Sequence, residues 1–370
     1  MRRLIVVAVL VSTIVLPAAA SHQVGHMRPQ GPAKVRFAPG FPALVDNEWG
    51  FAIGGFGGVR PGAPLRHVPV IFVHGNTVDH ADWYPVRDAF RAAGWTDQEL
   101  WALSYNGLGR NADALFHGNP ERDAEHEEMG GDGIERITND DLNVPDLYDF
   151  IRAVRSYTGS SRFSIVSHSL GVTLARRTLK VHPELRRDLV AFVGIAGANH
   201  GTSLCPPGSS GVVHSCDEIA AGTAWLEELN GPGGADETYG PARWMTIYDG
   251  SGLVDIAYIG PPYAKSPRLR GATNLEFPLT YHNDLRLTPA IIATYRAFLE
   301  VAEKPILAAR KGSVPARPRV LRSKQTPVSR DRLAGTGVTE PRSVAVGLIV
   351  AAGALLALAR LPSQPRARRP

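Results

Sequence analysis

The sequence predicts an α/β fold built on a mostly parallel sheet. Three observations carry that expectation. Segments of strand character alternate with segments of helical periodicity from His67 to Val301. The first strong run, Val68-Pro69-Val70-Ile71-Phe72-Val73, shows no polar alternation, as expected of a strand covered on both faces. A further apolar run, Phe163–Val166, passes through a short Ser/Gly turn directly into a helical pattern.

Each element follows from local chemistry. After the Val68–Val73 strand, a helix is predicted over Trp83–Ala93, stopped by Gly94. Leu100–Tyr105 reads as the second strand. Val144-Pro145 opens a helix whose apolar face is Leu147, Phe150, Ile151 and Val154, ending at Gly159. Phe163–Val166 is a strand and Leu170–Lys180 a helix; Leu189–Ile195, Trp244–Tyr248 and Asn274–Phe277 are further strands. Thr288-Pro289 is an N-cap followed by proline at the first helical position, opening a helix to about Val301. Asn106–Asn143 and Ala196–Gly240 are too long for plain turns and are expected to be lids or binding loops. Ser21–Gly62, with many Gly and Pro, has few strand signals and reads as an N-terminal wrap.

The ends differ from the middle. The 370 residues carry a net charge of +5. Residues 304–370 hold 14 Lys/Arg against Asp331 and Glu340, a net +12, and Arg2 and Arg3 add two more, which leaves −9 for residues 21–303. An acidic folded part excludes a nucleic-acid binder, which needs its basic patch on the folded face. Met1–Ala20 has the layout of an export signal: a basic start, an apolar run from Leu4 to Leu16, and small residues Ala18-Ala19-Ala20 before cleavage. Residues 21–64 are expected to form an N-terminal segment, and 65–303 the main folded domain. Lys304–Arg342, rich in Pro, Arg, Ser and Lys, is expected to be a flexible linker. Ser343–Ala359 is an uncharged apolar run of 17 residues, read as a transmembrane helix. The basic tail 360–370 would then stay in the cytoplasm and the domain outside. A C-terminal sorting signal that is later removed has the same layout.

The chemistry centres on Ser169. Phe163-Ser164-Ile165-Val166-Ser167-His168-Ser169-Leu170-Gly171 places a serine between strand and helix, with small residues two before and two after it. This is the strand–elbow–helix setting of an activated nucleophile. Ester cleavage builds negative charge on the carbonyl oxygen, which two backbone N–H groups must face. Leu170 follows the nucleophile and supplies one. Asn76, in the His74-Gly75-Asn76 turn after the first strand, supplies the other. The base must follow the last strand, which selects His282 over His182, His200 and His214. Asp249 and Asp255 both follow the Trp244–Tyr248 strand; Asp255, deeper in the loop, is favoured as the acid. His74, His168 and His200 are expected in the substrate pocket.

These segments resemble the class 2 lipases, secreted bacterial α/β-hydrolases, and the related extracellular polyhydroxybutyrate depolymerases. The resemblance lies in Pro69–Asn76, Phe163–Val172, Gly194–His200, Met245–Asp255 and Tyr281–Leu287, within roughly two thirds of the chain. It implies an α/β-hydrolase fold with nucleophile, acid and base at Ser169, Asp255 and His282. Ser167 stands where that family usually has Ala or Gly. The resemblance does not cover Asn106–Asn143 or the apolar tail.

The expected activity is hydrolysis of lipid or other carboxylic esters by a tethered, exported monomer, with no cofactor. A polyester depolymerase, an acyltransferase on envelope lipids and a non-catalytic envelope module are the rivals. No metal site is expected: His117, Glu121, Asp123, Glu125, His126, Glu127 and Glu128 lack regular ligand spacing and read as a solvated acidic loop. Cys205 and Cys216 are expected to form a disulfide in an exported loop, two free thiols being the alternative.

Overall fold

In the computed structural model, residues 36–42, 54–76, 78–104, 143–206 and 214–312 are described. The chain divides into two units, 1–314 and 315–370, and all the described residues lie in the first. The expected export signal, the acidic loop 117–128, residues 313–342 of the expected linker, the expected membrane helix and the basic tail lie outside the described residues. Among the described residues, no helix is long and apolar enough to cross a membrane.

Seven strands form one sheet: β1 (Gly55–Phe56), β2 (Val70–Val73), β3 (Leu100–Leu103), β4 (Phe163–His168), β5 (Leu189–Ile195), β6 (Arg243–Tyr248) and β7 (Thr273–Glu276). Their order across the sheet is β1-β3-β2-β4-β5-β6-β7. From β3 to β7 every pair is parallel, and only β1 runs against its neighbour.

The unbroken apolar run that predicted β2 has a direct structural cause. Val70 and Phe72 join the core on one face of the sheet, while Ile71 and Val73 join the core on the other. Helix α1 (Tyr84–Ala92) covers the first face with Val86 and Phe90, and Gly94, at φ +98°, ends its turn. Helices α2 (Asn143–Thr158) and α3 (Leu170–Val181) cover the second, with Phe150, Ile151, Val172 and Leu179. Full burial of each such side chain contributes about 1.5–3 kcal/mol. In the Ala196–Gly240 connection, α4 (His214–Ile219) and α5 (Ala224–Asn230) form, and Cys205 and Cys216 are joined by a disulfide. The last helices are α6 (Asp284–Leu287) and α7 (Pro289–Gly312).

Two expectations need correction. The segment before residue 65 is part of the sheet, because β1 pairs with Ala102 and Leu103. Its sequence hides this. The strand is two residues long, and its glycines are required by close approach: a Cβ at Gly55 would lie 2.3 Å from the Ala102 oxygen, and one at Gly57 2.3 Å from the Trp101 ring. The second correction is at the other end. The helix expected to stop near Val301 continues to Gly312, so the first residues of the expected linker are helical. Ile306 packs on the first-face core, and Glu303 accepts the Val68 N–H at 2.7 Å and bonds His67 at 2.6 Å. Those contacts carry the helix through Pro305, which removes the donor to the carbonyl of the exposed Val301 and crowds that carbonyl with its ring.

Because β2 and β4 to β7 are parallel, their carboxyl ends share one edge of the sheet. The turns leaving those ends hold His74–Asn76, Ser169, the Ala196 connection, Asp249 with Asp255, and His282.

Candidate active site

Ser169 joins β4 to α3 and has φ 55° and ψ −131°, a conformation that L-residues rarely adopt. Such strain persists where the surroundings enforce it. Here the Ser169 N–H is held by the Ile195 oxygen at 2.8 Å, and the Ser169 carbonyl accepts from Val172 at 3.0 Å. The small residues of the motif are needed by contact. A Cβ on Gly171 would sit 2.1 Å from the His74 oxygen, and one on Gly75 would sit 2.9 Å from Ser169 Cβ. The His74–Asn76 turn therefore lies directly against the elbow. Leu170 is the first residue of α3, so its N–H has no carbonyl one turn earlier to bond.

His282 lies between β7 and α6, mostly buried, and its Nδ1 is 2.9 Å from Asp255 Oδ1. A carboxylate only accepts, so Nδ1 carries the proton and Nε2 is left bare, the tautomer that can take a proton from a hydroxyl. Asp255 is fully buried and also accepts the Ala257 N–H at 3.0 Å. Tyr258, in the same loop, donates its hydroxyl to the Ala196 oxygen at 2.7 Å, tying the loop to the end of β5. Asp249 is occupied elsewhere. It accepts from the Ser251 N–H and hydroxyl and from the Thr280 N–H at 3.2 Å, which joins the Asp255 loop to the His282 loop. The choice between the two aspartates is thus made by the fold, in favour of Asp255 as the partner of His282.

The three histidines expected in the pocket are placed differently. His74 is fully buried, with Nδ1 2.8 Å from the Gly75 oxygen, and burial pushes its pKa down to about 3. His168 is buried too, and its Nε2 bonds the His282 oxygen. Both back the site from inside, because every residue of β4 and of the β2 end is covered on both faces. His200 is partly exposed and bonds the Ser266 oxygen at 2.8 Å and Glu237 at 3.3 Å. Cys205 and Cys216 are buried together with Leu170, Ala198 and Ile219, so the disulfide packs behind the first turn of α3.

Two contacts were not anticipated from the sequence. Arg286, one turn after His282, is buried and bonds the Asp82 oxygen at 2.8 Å and its carboxylate at 2.6 Å, linking the His282 loop to the segment that follows the His74–Asn76 turn. His80 bonds Ser104 Oγ at 2.5 Å, and burial pushes its pKa down to about 4. Neither had a signal in the sequence, because each residue sits in a helical segment of only four residues, too short to show a periodicity. Among the described residues no group of three or more His, Cys, Asp or Glu could hold a metal ion. A groove of about 530 Å³ lined by Val59, Asp88, Arg91, Trp95, Thr96 and Asp97 lies at the amino end of β3, away from the elbow.

The sequence model of the family described as lipase (class 2) matches residues 67–117 and 132–240, which contain the His74–Asn76 turn and the elbow. Over those residues the chain is similar to the class 2 lipases, and its mostly parallel sheet fits the α/β-hydrolase fold. Among solved structures, the chain is similar to Bacillus licheniformis lipase BlEst2 in its mature form, at 15% identity and TM-score 0.42, over 65% of this chain and 96% of that one. It is also similar to Aspergillus fumigatus lipase B, at 18% identity and TM-score 0.40, over 59% of this chain. The matched region spans 47% of that lipase. No curated protein matches the chain.

Proposed function

We propose that this hydrolase cleaves carboxylic esters through Ser169, His282 and Asp255. Ser169 Oγ attacks the ester carbonyl carbon while His282 Nε2 takes its proton, and Asp255 stabilises the resulting imidazolium. The N–H groups of Leu170 and Asn76 face the oxyanion. Collapse of the intermediate breaks the bond to the alcohol, which leaves with the proton from His282. Water then attacks the acyl-serine by the same route and releases the acid. The observation that carries this reading is the Asp255–His282 bond at 2.9 Å beside a serine held at φ 55°. Leu253, Ile256 and Ile259 on the Asp255 loop, and Leu279 and Tyr281 on the His282 loop, are exposed, which favours esters with apolar acyl groups.

We further propose that the domain works outside the cytoplasm, exported by residues 1–20 and tethered through 343–359. A disulfide between Cys205 and Cys216 fits an oxidising compartment. Turnover of p-nitrophenyl esters of increasing chain length, beside a polyhydroxybutyrate film, tests the reading. The expected result is turnover by the wild type and a loss on the order of 10⁴ or more in kcat for Ser169→Ala. Equal turnover by that variant overturns the assignment.

A further inference from the structure

His168 ends β4 and precedes Ser169, yet only 2% of it is exposed. Its Nε2 lies 3.1 Å from the main-chain oxygen of His282. A carbonyl only accepts, so Nε2 carries the ring proton and donates it. Nδ1 is then bare. It is buried without a hydrogen-bond partner among the described residues, and it faces Gly75, where a Cβ would come within 3.3 Å of it. The rings of His168 and His282 are 4.7 Å apart between centres and tilted by 50°.

A buried nitrogen without a partner is destabilising, and an apolar side chain would fill the same space without one. What the imidazole gains in return is one bond, and that bond goes to the residue bearing the base. His282 needs it. Its loop leaves β7 at the edge of the sheet and enters α6, which is a single turn. Asp255 holds the ring of His282, but nothing in that contact fixes the backbone from which the ring hangs.

We propose that His168 is a positioning residue for the base: its Nε2–H, anchored in the sheet, holds the His282 backbone against the nucleophile elbow. The proposal rests on reading Ser169, His282 and Asp255 as nucleophile, base and acid. With the ring held by Asp255 and the main chain by His168, Nε2 of His282 keeps one direction relative to Ser169. The charged groups acting on His168 are His282 itself and Arg286 on α6. Burial first, then those two positive charges, push its pKa well below the usual 6.5. His168 therefore stays neutral while His282 gains and loses its proton, and does not repel the imidazolium.

Three full-length variants test this: H168Q, H168N and H168L. A Gln amide N–H can stand where Nε2 stands and reach the His282 oxygen; an Asn amide falls nearer the place of Nδ1 and cannot. The readouts are kcat and KM on a soluble p-nitrophenyl ester and the rate of labelling by a fluorophosphonate, with near-UV circular dichroism to establish folding. H168N and H168L should lose roughly 10- to 100-fold in kcat and labelling rate while KM changes little, and H168Q should recover most of the loss. Equal kcat for H168Q and H168N, or a loss confined to KM, overturns the proposal while leaving the ester-hydrolase reading intact. If H168L does not fold, the Gln/Asn comparison decides alone. A wild-type protein that is not labelled at all overturns the hydrolase reading, and this proposal with it.

Discussion

Gly171→Ala is a one-carbon test of how the elbow is built. The added Cβ would stand 2.1 Å from the His74 oxygen and 2.8 Å from the Val73 oxygen. A relaxed carbon–oxygen contact needs about 3.3 Å or more, so α3 must withdraw from the end of β2 by about 1 Å. Both obstacles are backbone, and neither can rotate aside. Overpacking of this kind destabilises by about 1–3 kcal/mol. The larger effect should be on activity. The same retreat carries the Leu170 N–H away from Asn76, and a displacement of about 1 Å in a reacting geometry costs on the order of 100-fold. The control is Gly94→Ala. Gly94 has φ +98° and open space around its Cβ position, so the substitution meets backbone strain without crowding. Its cost should be about 1–2 kcal/mol in stability, with kcat unchanged. Thermal melting and kcat/KM on a short p-nitrophenyl ester separate the two outcomes. A Gly171→Ala variant with wild-type kcat/KM would refute the argument that contact between α3 and the His74 turn sets the oxyanion geometry.

Other outcomes follow from the same contacts. Asp255→Asn should lower kcat by about 10⁴, because only Asp255 fixes the His282 tautomer, while Asp249→Asn should mainly lower the melting temperature; a dead Asp249 variant beside an active Asp255 variant reverses the roles. Acidification should weaken the fold through His74 and His80, whose pKa values burial pushes down to about 3 and about 4. The unfolded chain takes up those protons near pH 6.5, so stability falls as pH drops from about 6.5 to about 4 for His80 and to about 3 for His74. Between about pH 7.5 and pH 5 each residue should cost about 2 kcal/mol. Urea unfolding followed by tryptophan fluorescence reads this, and a flat profile contradicts it. Replacing Cys205 and Cys216 by Ser should cost about 2–3 kcal/mol, the loop-closure contribution, visible as a lower urea midpoint. Ending the chain at Arg342 should release soluble protein with unchanged ester turnover; truncated protein that still sediments with membranes rules out 343–359 as the anchor.

The strands and helices that carry the site were legible because their signals are local. β2 read as a near-continuous apolar run and β4 as a short apolar strand running into a Ser/Gly turn that leads at once into a helix. β1 was not legible, because two residues between glycines carry no periodicity and the strand exists only through its pairing with β3. The extension of α7 past Pro305 was not legible either. Local propensity ends a helix there, and what continues it is distant: Glu303 binding His67 and Val68, and Ile306 packing on the core. The order nucleophile, acid, base could be read along the chain. The choice between Asp255 and Asp249 could only be favoured, since both occupy one loop and the deciding contact lies 27 residues further on. His168 was expected in the pocket, but a strand buried on both faces turns that side chain inward.

The central claim is that Ser169 is the nucleophile. The most direct measurement is reaction of the folded full-length protein with a fluorophosphonate, followed by peptide mapping in a mass spectrometer. A single adduct on the peptide containing Ser169, absent in Ser169→Ala and strongly slowed in Asp255→Asn, is the predicted result. An adduct on another serine, or equal labelling of Ser169→Ala, contradicts it.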